Sequence, residues 1–511
     1  MIRTTSRRLA PGAAARAGAS RLAGVRLEPL LEVAGLRPID LAEAFRDLPG
    51  LALLESARPG RNARWSYLTA DPIAVLTQPA PGGDPFSVAR QLLGRLDPGP
   101  ATVPGAAGGY DSHGTGGAGS GAGDSDLPPF LGGLVGYLGY DLGHELERLP
   151  TLSRDDQGMP VLHLALHDWV VAWDRRTGRA WLGGRAMGGD PRGHERRLAE
   201  VRRRVGEPRR ASAHAPEADL TFTSGLDRRA YQAGVEAVRA EIARGQIYQA
   251  NLTRRLETPF DGDPWPLYRR LRTGDPSLFS AYLEIGRALS TDEDGPGRGP
   301  RAILSASPEP FLAVDRSGLV TTDPIKGTRP RGRTREEDRA LACELLASGK
   351  DRAENVMIVD VLRNDLGRVC LPGTVRVPRL CRLERTAAVQ HLVSTVTGRL
   401  APGRDAFHLL AASFPGGSIT GAPKIRAMEI LERLEPVRRG PYTGALGWIG
   451  PDGAMATSII IRTFVADGRR LSIHVGGGIT YRSDPAAEWD ETVAKARGPL
   501  GAIGGREVGR A

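Results

Sequence analysis

The pattern of apolar and polar positions predicts two structured regions, residues 27–215 and 222–502. In the first region, short apolar segments alternate with turns, and residues 161–184 (VLHLALHDWVVAWDRRTGRAWLGG) predict two strands joined at DRRTGR. Residues 98–127 are rich in glycine and poor in apolar side chains, so they cannot bury a core and predict a flexible insertion. An arginine-rich polar stretch near residues 190–220 predicts the boundary between the two regions.

The second region predicts a mixture of helices and strands. It opens with an amphipathic helix that Asp227 can cap and Gly245 can end, and its apolar face is formed by Tyr231, Val235, Val238 and Ile242. A strand over residues 456–466 (ATSIIIRTFVA) and helices over APKIRAMEILERLE and after SDP are predicted further along the chain. Because the elements follow no regular strand–helix–strand alternation, we predict an α+β fold rather than a doubly wound sheet.

An arginine-rich tail precedes these regions. Residues 1–26 hold six arginines and no acidic residue, a composition typical of organellar transit peptides and also of disordered bacterial extensions. We predict a disordered tail. Without these six arginines the formal net charge falls from +10 to +4, and aromatic residues make up only 5% of the chain. Nucleic-acid binding, the function that a basic chain first suggests, is therefore disfavoured.

Apolar runs and cysteines indicate the cellular setting. No uninterrupted apolar run is long enough to span a bilayer, which disfavours a membrane protein. The three cysteines, Cys343, Cys370 and Cys381, form no CxxC pair. This usage suits a reducing compartment, so we predict a cytoplasmic protein.

Lysine is rare in this chain. Only four of the 69 basic residues are lysines: Lys326, Lys350, Lys424 and Lys495. Because arginine cannot lose its proton, a lysine here marks a position that needs a nucleophile or a compact charge. Lys326 lies in TTDPIKGTRPRG, and the residues alone leave two interpretations, an exposed surface lysine or a catalytic amine. HExxH, GxSxG and Cys/His pairings are absent, so zinc-protease and triad chemistry are not supported.

The last predicted helix carries a charged face. Asp484 can cap it, and Glu488, Glu491 and Lys495 then share one side. Two carboxylates on one face suit a hard divalent cation such as Mg²⁺, although a solvated charged face has the same spacing. Glu354, in AENVMIVDVLRNDLG, is a candidate third carboxylate.

Two glycine-rich segments could bind anions. Gly476, Gly477 and Gly478 follow a strand and predict a turn whose backbone N–H groups face an anion, with a bulge as the alternative. The segment FPGGSITGAPK lacks the lysine of a phosphate-binding loop, which disfavours nucleotide hydrolysis. Thr420 and the helix start that follows it could still hold a carboxylate.

Six motifs taken together resemble the chorismate-utilising enzymes. PIKGTRPRG, AENVMIVDVLRNDLG, GSITGAPKIRAMEIL, IIIRT, GGGIT and SDPAAEWDETVAKA occur in this order, and LLESA, ADPI and GGLVGYLGYDLG extend the resemblance over residues 27–500. The family includes component I of anthranilate synthase and of aminodeoxychorismate synthase, and the isochorismate and salicylate synthases. The resemblance implies the anthranilate synthase component I fold, with large antiparallel sheets packed face to face and helices outside.

The resemblance also implies roles for individual residues. Lys326 would be the nucleophile and Glu309 the proton donor, while Glu354 and Glu491, assisted by Glu488, would hold Mg²⁺ as the cofactor. The substrate-binding positions would be Arg462, Tyr442, Gly476, Gly477, Gly478, Thr420, Lys495 and His391. The segment LLESA matches one that lines a tryptophan pocket in relatives, so Glu55 and Ser56 are candidate tryptophan-binding residues, with an ordinary strand and turn as the alternative.

The residue between PI and GT separates the branches of this family. Lys326 occupies it, as is typical of aminodeoxychorismate synthases, whereas anthranilate and isochorismate synthases usually carry alanine. The resemblance thus implies conversion of chorismate and ammonia to 4-amino-4-deoxychorismate, for 4-aminobenzoate and folate synthesis. Anthranilate formation is the close alternative and nucleic-acid binding the distant one. Because no glutaminase segment is recognisable, we expect a glutamine amidotransferase partner to supply ammonia.

Overall fold

A computed structural model of the protein describes residues 2–4, 24–33, 35–60, 63–80, 82–99, 127–207, 219–287, 299–386 and 389–509. Most of the predicted disordered tail (residues 5–23) and of the predicted glycine-rich insertion (residues 100–126) lies outside the described residues.

The described ranges form 24 strands and 11 α-helices. The strands are β1 (Ile2–Thr4), β2 (Val25–Pro29), β3 (Ala52–Glu55), β4 (Trp65–Thr69), β5 (Ala74–Leu76), β6 (Gly133–Leu138), β7 (Leu162–His167), β8 (Trp169–Asp174), β9 (Arg179–Arg185), β10 (Leu220–Ser224), β11 (Gln249–Pro259), β12 (Phe279–Arg287), β13 (Pro300–Ser307), β14 (Pro310–Val314), β15 (Leu319–Thr322), β16 (Ile325–Pro330), β17 (Arg376–Arg385), β18 (Val389–Arg399), β19 (Gly421–Ala422), β20 (Ala445–Ile449), β21 (Met455–Ile459), β22 (Thr463–Asp467), β23 (Arg470–Ile479) and β24 (Gly505–Val508). The helices are α1 (Pro38–Ala42), α2 (Ser87–Leu93), α3 (Gly143–Leu146), α4 (Pro191–Gly206), α5 (Arg228–Ala243), α6 (Trp265–Gly274), α7 (Arg335–Ala347), α8 (Gly349–Gly367), α9 (Ala406–Ser413), α10 (Lys424–Leu434) and α11 (Pro485–Ala502).

The strands build two large sheets. The first has eleven strands in the order β1–β5–β7–β6–β20–β21–β14–β15–β18–β16, with β17 paired to β18. The second has thirteen strands in the order β2–β9–β8–β4–β3–β12–β13–β22–β23–β11–β10–β24, with β19 paired to β11. Neighbouring strands are antiparallel in every described pair except β10 with β24.

The two sheets pack face to face with helices on their outer sides. Val135 and Leu446 of the first sheet share a buried cluster with Tyr67 and Ile303 of the second. A second cluster joins the first sheet to α8 and α9, and a third joins the second sheet to α6 and α11. This confirms the predicted fold, an α+β arrangement of packed antiparallel sheets.

The chain passes directly from one sheet to the other at three places. Asp168 alone separates β7 from β8, Pro308 and Glu309 separate β13 from β14, and residues 460–462 separate β21 from β22. Arg462 has a φ of 49°, in the left-handed region that non-glycine residues rarely adopt. Two of these crossings therefore carry candidate site residues, Glu309 and Arg462.

The crossings explain two incorrect strand predictions. Residues 161–184 form three strands rather than two, and residues 456–466 contribute to two strands rather than one. All residues of β7 and β8 are buried, so the apolar pattern shows no alternation that would mark a change of sheet.

The two regions predicted along the chain share both sheets. In the first sheet, β6 pairs with β20, and in the second sheet β3 pairs with β12. Each of these pairs joins a strand of the first region to a strand of the second. The regions are therefore parts of one packed unit.

The predicted disordered tail is wrong at both of its ends. Ile2–Thr4 pairs with β5 as an edge strand, and β2 already begins at Val25. Val25 and Leu27 are buried against Leu131, so this segment belongs to the core.

The predicted helices are found at their expected positions. Asp227 caps α5 by accepting the N–H of Ala230 at 2.7 Å, and Asp484 caps α11 by accepting the N–H of Ala487 at 2.9 Å. Among the residues that the structure describes, no helix combines the length and the apolar character that crossing a membrane requires.

Candidate active site

A cavity of about 620 Å³ lies between the ends of β16, β23, α8 and α11. Eleven of the residues predicted from the sequence to form the catalytic, substrate and metal site line it: Glu309, Lys326, Glu354, His391, Tyr442, Arg462, Gly476, Gly478, Glu488, Glu491 and Lys495. These residues come from segments spread over nearly 190 residues of the chain, from both sheets and from two helices. The fold thus brings together most of the predicted site.

Lys326 reaches the cavity from a bulged strand. The register of β16 against β18 shifts between Lys326 and Thr328, and Gly327 between them has a φ of 80°. A Cβ on Gly327 would lie 2.8 Å from the Cβ of Asp351, so glycine is required for both conformation and space.

A serine links the Lys326 amine to the Glu309 carboxyl. Lys326 Nζ donates a hydrogen bond to Ser418 O at 3.2 Å, and Ser418 Oγ donates to Glu309 Oε1 at 3.0 Å. Burial raises the pKa of Glu309, opposed by the positive charge of Lys326 and the hydrogen bond from Ser418. The protonated form of Glu309 therefore persists to a higher pH than in an exposed glutamate.

Three glutamates face the other side of the cavity. Glu488 accepts a hydrogen bond from Ser483 Oγ at 2.6 Å, and Glu491 pairs with Lys495 Nζ at 2.7 Å. Glu354 Oε1 is buried and has no hydrogen-bond partner. Burial raises the pKa of Glu354 and of Glu488. Burial also acts on Glu491, but the charge and hydrogen bond of Lys495 outweigh it, so the pKa of Glu491 is lowered.

The donor atoms on this side of the cavity are of the kind that a hard cation binds, but they do not form a complete metal site. Among the described residues, no group of three or more His, Cys, Asp or Glu side chains is close enough together to hold a metal ion. The available donors are carboxylate oxygens, the ligands that Mg²⁺ prefers, and Glu354 Oε1 has no hydrogen-bond partner. A Cβ on Gly477 would lie 2.9 Å from Glu488 Oε2, so the glycine leaves space beside the carboxylates. The residues therefore fit Mg²⁺ by the chemistry of their donor atoms.

The three glycines form no turn, contrary to the prediction, because they continue β23. Gly478 and Gly476 pair in register with Asn251 and Thr253 of β11, whose N–H groups donate to acceptors outside β23. In an antiparallel ladder this orientation turns the backbones of Gly476 and Gly478 away from β11, and both line the cavity. Gly477 has the opposite orientation, and its backbone is not part of the lining.

Thr420 does not reach the cavity. Its side chain is fully buried, and its Oγ1 donates to Gly416 O at 2.9 Å. Its carbonyl accepts the N–H of Asn251 at 2.8 Å. Thr420 is therefore not part of the cavity lining, and it supports the neighbouring wall through its bond with Asn251.

Polar and aromatic side chains complete the wall opposite the glutamates. His391 Nδ1 lies 2.9 Å from Thr328 Oγ1, and burial together with the charge of Arg462 lowers the pKa of His391 to about 4. The Tyr442 ring stacks on the His474 ring, with centroids 4.9 Å apart and planes 11° from parallel. Arg462 adds a positive charge to this part of the lining, which favours an anionic ligand near that guanidinium.

Residues 114–501 match the family of chorismate binding enzymes. The chain belongs to this family. Among relatives of this chorismate binding enzyme, anthranilate synthase component 1 of Streptomyces coelicolor is 40% identical over 464 residues, covering 88% of this chain and 83% of the relative. Aminodeoxychorismate synthase component 1 of Salmonella typhimurium is 41% identical over 373 residues, covering 73% of this chain and 76% of the relative.

A solved structure shares the fold of this chorismate binding enzyme. Anthranilate synthase component I from Streptococcus pneumoniae superposes with a TM-score of 0.70 at 28% identity, covering 86% of this chain and 93% of that one. The family and the fold are thus confirmed. The relatives carry two different activities in their names, so the reaction must be argued from the site.

Sequence reasoning missed several residues of the cavity in this chorismate binding enzyme. Asn251, Thr328, Lys350, Asp351, Ser418 and His474 line it. Ser418 lies inside the motif GSITGAPK, and Lys350 is one of the four lysines, so both had a signal in the sequence. His474 had none, because nothing in the strand RLSIHVGGGI shows that its ring would stack on Tyr442.

A second, smaller cavity lies beside Glu55 and Ser56. Its volume is about 160 Å³, and the rings of Trp65, Tyr67 and Trp448 contribute to its lining. The Glu55 carboxylate is buried and accepts hydrogen bonds from the Tyr268 hydroxyl and the Arg272 guanidinium.

Proposed function

We propose that this protein converts chorismate and ammonia to 4-amino-4-deoxychorismate, with Lys326 as the nucleophile. One observation carries the proposal: the Lys326 amine lines the cavity and is joined through Ser418 to the Glu309 carboxyl, whose pKa is raised. An amine and a carboxyl whose neutral form is favoured by burial can form one bond and assist the breaking of another.

In the proposed reaction, Lys326 attacks C2 of the chorismate ring. Both conjugated double bonds of the ring shift, and the C4 hydroxyl leaves as water after receiving a proton from Glu309. Ammonia then adds at C4, and the lysine is expelled from C2 with return of both double bonds to their original positions. The overall change replaces the C4 hydroxyl by an amino group, and Lys326 and Glu309 return to their starting states once protons are exchanged.

Chorismate carries two carboxylates, so its binding requires positive charge and backbone donors. Arg462 and Tyr442 line the cavity together with the backbones of Gly476 and Gly478, and they would hold the carboxylates. Lys495 and His391 are placed to complete the binding surface.

Mg²⁺ would be held by Glu354, Glu488 and Glu491 on the opposite side. When bound, it would neutralise a substrate carboxylate and make the ring a better electrophile. Each of these glutamates lines the same cavity as Lys326.

A glutamine amidotransferase is proposed as the partner that delivers ammonia. The relatives are named as component 1 of two-component synthases, which supports this proposal. With ammonium salts in excess, the chain alone should carry out the amination.

Anthranilate formation is the second candidate, because the relative with the longer overlap is named anthranilate synthase component 1. The deciding assay supplies chorismate, Mg²⁺ and ammonium to the purified chain and identifies products by mass spectrometry. We expect 4-amino-4-deoxychorismate without release of pyruvate. Anthranilate and pyruvate as main products would establish the second candidate instead.

A Lys326→Ala substitution tests the covalent role. We expect a loss of product formation of about 100-fold or more, because the nucleophile is removed. Without ammonia, the intact mass of the unmodified chain should rise by chorismate minus water, and the variant should show no such adduct. Full activity in Lys326→Ala would remove the covalent mechanism even if the product is the expected one.

We also propose tryptophan as a ligand of the smaller cavity. Its aromatic lining suits an indole ring, and Glu55 and Ser56 lie at its edge. Titration with L-tryptophan should raise the melting temperature of the chain, and D-tryptophan should not. A Ser56→Phe variant, which fills the edge of the cavity, should lose this response, and a response unchanged in that variant would contradict the location.

A further inference from the structure

Lys350 lines the cavity but has no part in the proposed reaction. Its Nζ lies 3.9 Å from Glu354 Oε1, beyond hydrogen-bond distance. The other three lysines make direct hydrogen bonds, to Ser418 O (Lys326), to Asp365 and Ser413 O (Lys424) and to Gly476 O (Lys495). Lys350 therefore acts on its surroundings mainly as a charge.

Helix stability does not account for a lysine at this position. Lys350 is the second residue of α8, and the positive end of the helix dipole disfavours a cation in the first turn. The pair with Glu354 also has the lysine on the N-terminal side at i,i+4 spacing, the less favourable orientation. The neighbouring Asp351 is the residue that suits the helix start.

The choice of lysine over arginine is informative here. Arginine is the usual cation of this chain, since only four of 69 basic residues are lysines. An arginine would grip a carboxylate with two parallel hydrogen bonds, whereas lysine is a compact charge on a flexible stem. The Lys350 side chain is 53% exposed, while that of Glu354 is only 16% exposed. Lys350 can therefore move into solvent, and Glu354 stays in the cavity wall.

Glu354 needs a compensating charge when no metal is bound. Its Oε1 is buried without a hydrogen-bond partner, and an unpaired buried carboxylate is costly. Burial raises the pKa of Glu354, and the charges of Lys326 and then Lys350 oppose this effect. The charge of Lys350 also opposes the effect of burial at Glu488 and, after that of Lys495, at Glu491. The charge of Lys350 thus acts on all three carboxylates of the proposed metal site.

We propose that Lys350 compensates the Glu354 carboxylate in the metal-free protein and withdraws toward solvent when a divalent cation binds. Lys350 is then a positioning residue, because it would influence the metal only through its charge beside Glu354. This proposal rests on the proposed metal site at Glu354, Glu488 and Glu491.

The test measures binding of Mn²⁺, a paramagnetic substitute with oxygen ligands like those of Mg²⁺, to the substrate-free chain by electron paramagnetic resonance. Lys350→Met removes the competing charge, so the Mn²⁺ affinity should rise by about threefold to tenfold. Lys350→Arg should lower the affinity by about threefold or more, because a guanidinium can form two hydrogen bonds with the Glu354 carboxylate and so competes more strongly with the metal.

The proposal requires the Mn²⁺ affinity to change in opposite directions in Lys350→Met and Lys350→Arg. An unchanged affinity in both variants, or a change of the same sign in both, would overturn the proposal. A rise in Lys350→Met with wild-type affinity in Lys350→Arg would also overturn it, since that pattern reports only a general charge effect.

Glu354→Gln provides the matched control for the metal site itself. It should abolish tight Mn²⁺ binding. If Glu354→Gln binds Mn²⁺ like the unmodified chain, the metal site is wrong. If it loses binding while both Lys350 variants are unchanged, the metal site stands and only the role of Lys350 fails.

Discussion

Glu309 is a carboxyl whose surroundings favour its neutral form. It lies at a crossing between the sheets and accepts a hydrogen bond from Ser418 Oγ, and burial raises its pKa above the ordinary value of 4.5. A group with this property can donate a proton at a pH where exposed glutamates cannot. The same burial means that ionisation of Glu309 in the folded chain lowers the free energy of unfolding.

We therefore expect the rate of amination to fall as the pH rises through the raised pKa of Glu309, because the donor loses its proton. Glu309→Gln should lower the rate by about 100-fold or more, since the amide cannot donate a proton. Rates measured with chorismate and ammonium between pH 6 and 9, corrected for the fraction of free ammonia, provide the test. A variant with near-normal rates would show that Glu309 is not the acid.

Glu309→Gln should also change stability in a pH-dependent way. A carboxyl with a folded pKa above its unfolded pKa stabilises the fold at low pH, and this contribution is lost as the pH rises through the folded pKa. The amide does not ionise, so the melting temperature of the variant relative to the unmodified chain should be higher at pH 8 than at pH 5. An equal difference at both pH values would mean that folding does not raise the pKa of Glu309.

At the residue scale, motif order predicted more of the site than side-chain chemistry did. Lys326 and Glu309 lie in recognisable segments, and the fold brings them to one cavity. Thr420 lies in an equally recognisable segment, but its hydroxyl turns to Gly416 O. This side-chain orientation depends on the neighbouring strand β11, and the residues around Thr420 do not indicate that β11 lies there.

Helix α8 is the element that sets the distance between the proposed metal side and Lys326. Asn355, the residue after Glu354, is fully buried, and its Nδ2 donates to Leu392 O at 3.1 Å. Leu392 is the register partner of Lys326 on β18. Asn355 Oδ1 accepts from Ser394 Oγ, so one side chain ties α8 to the strand beside the nucleophile.

Asn355→Ala should lower the free energy of unfolding by about 1–3 kcal/mol, because Leu392 O and Ser394 Oγ each lose a buried hydrogen bond. It should also weaken Mn²⁺ binding, because Glu354 loses its fixed position. Chemical denaturation and Mn²⁺ titration measure the two effects. Reduced stability with unchanged Mn²⁺ affinity would mean that Asn355 stabilises the fold without positioning Glu354.

A control on the same helix is available at Arg363, which pairs with Asp360 on the exposed face. Arg363→Ala should change the free energy of unfolding by no more than about 0.5 kcal/mol, because exposed ion pairs contribute little. It should leave Mn²⁺ affinity unchanged.

At the element scale, helix positions could be predicted and sheet membership could not. α5 and α11 carry their caps and their faces in the local sequence, as Asp227 and Asp484 show. The passage from β7 to β8 at Asp168 has no comparable signal, because both strands are buried on both sides. Which sheet a strand joins is decided by partners far away in the chain, such as β6 and β4.

The whole molecule is held together by strand pairs between its N-terminal and C-terminal halves. β6 pairs with β20 and β3 pairs with β12. The buried carboxylate of Glu55, in the first half, also accepts hydrogen bonds from Tyr268 and Arg272 in the second. A C-terminal half on its own would expose β12 and β20 as unpaired edges and leave the Tyr268 and Arg272 groups without an acceptor.

We therefore expect the chain to unfold in a single cooperative transition, and a fragment of residues 219–511 to be unable to fold alone. Calorimetry of the full chain and circular dichroism of the fragment test the two statements. Co-expression of residues 1–218 with residues 219–511 should restore a folded, active complex. The cut falls after α4 and before β10, so it interrupts neither of the two shared strand pairs. A soluble 219–511 fragment with its own sharp melting transition would show that the catalytic half is an independent domain, and the shared sheets would then be a docking surface between two folded units.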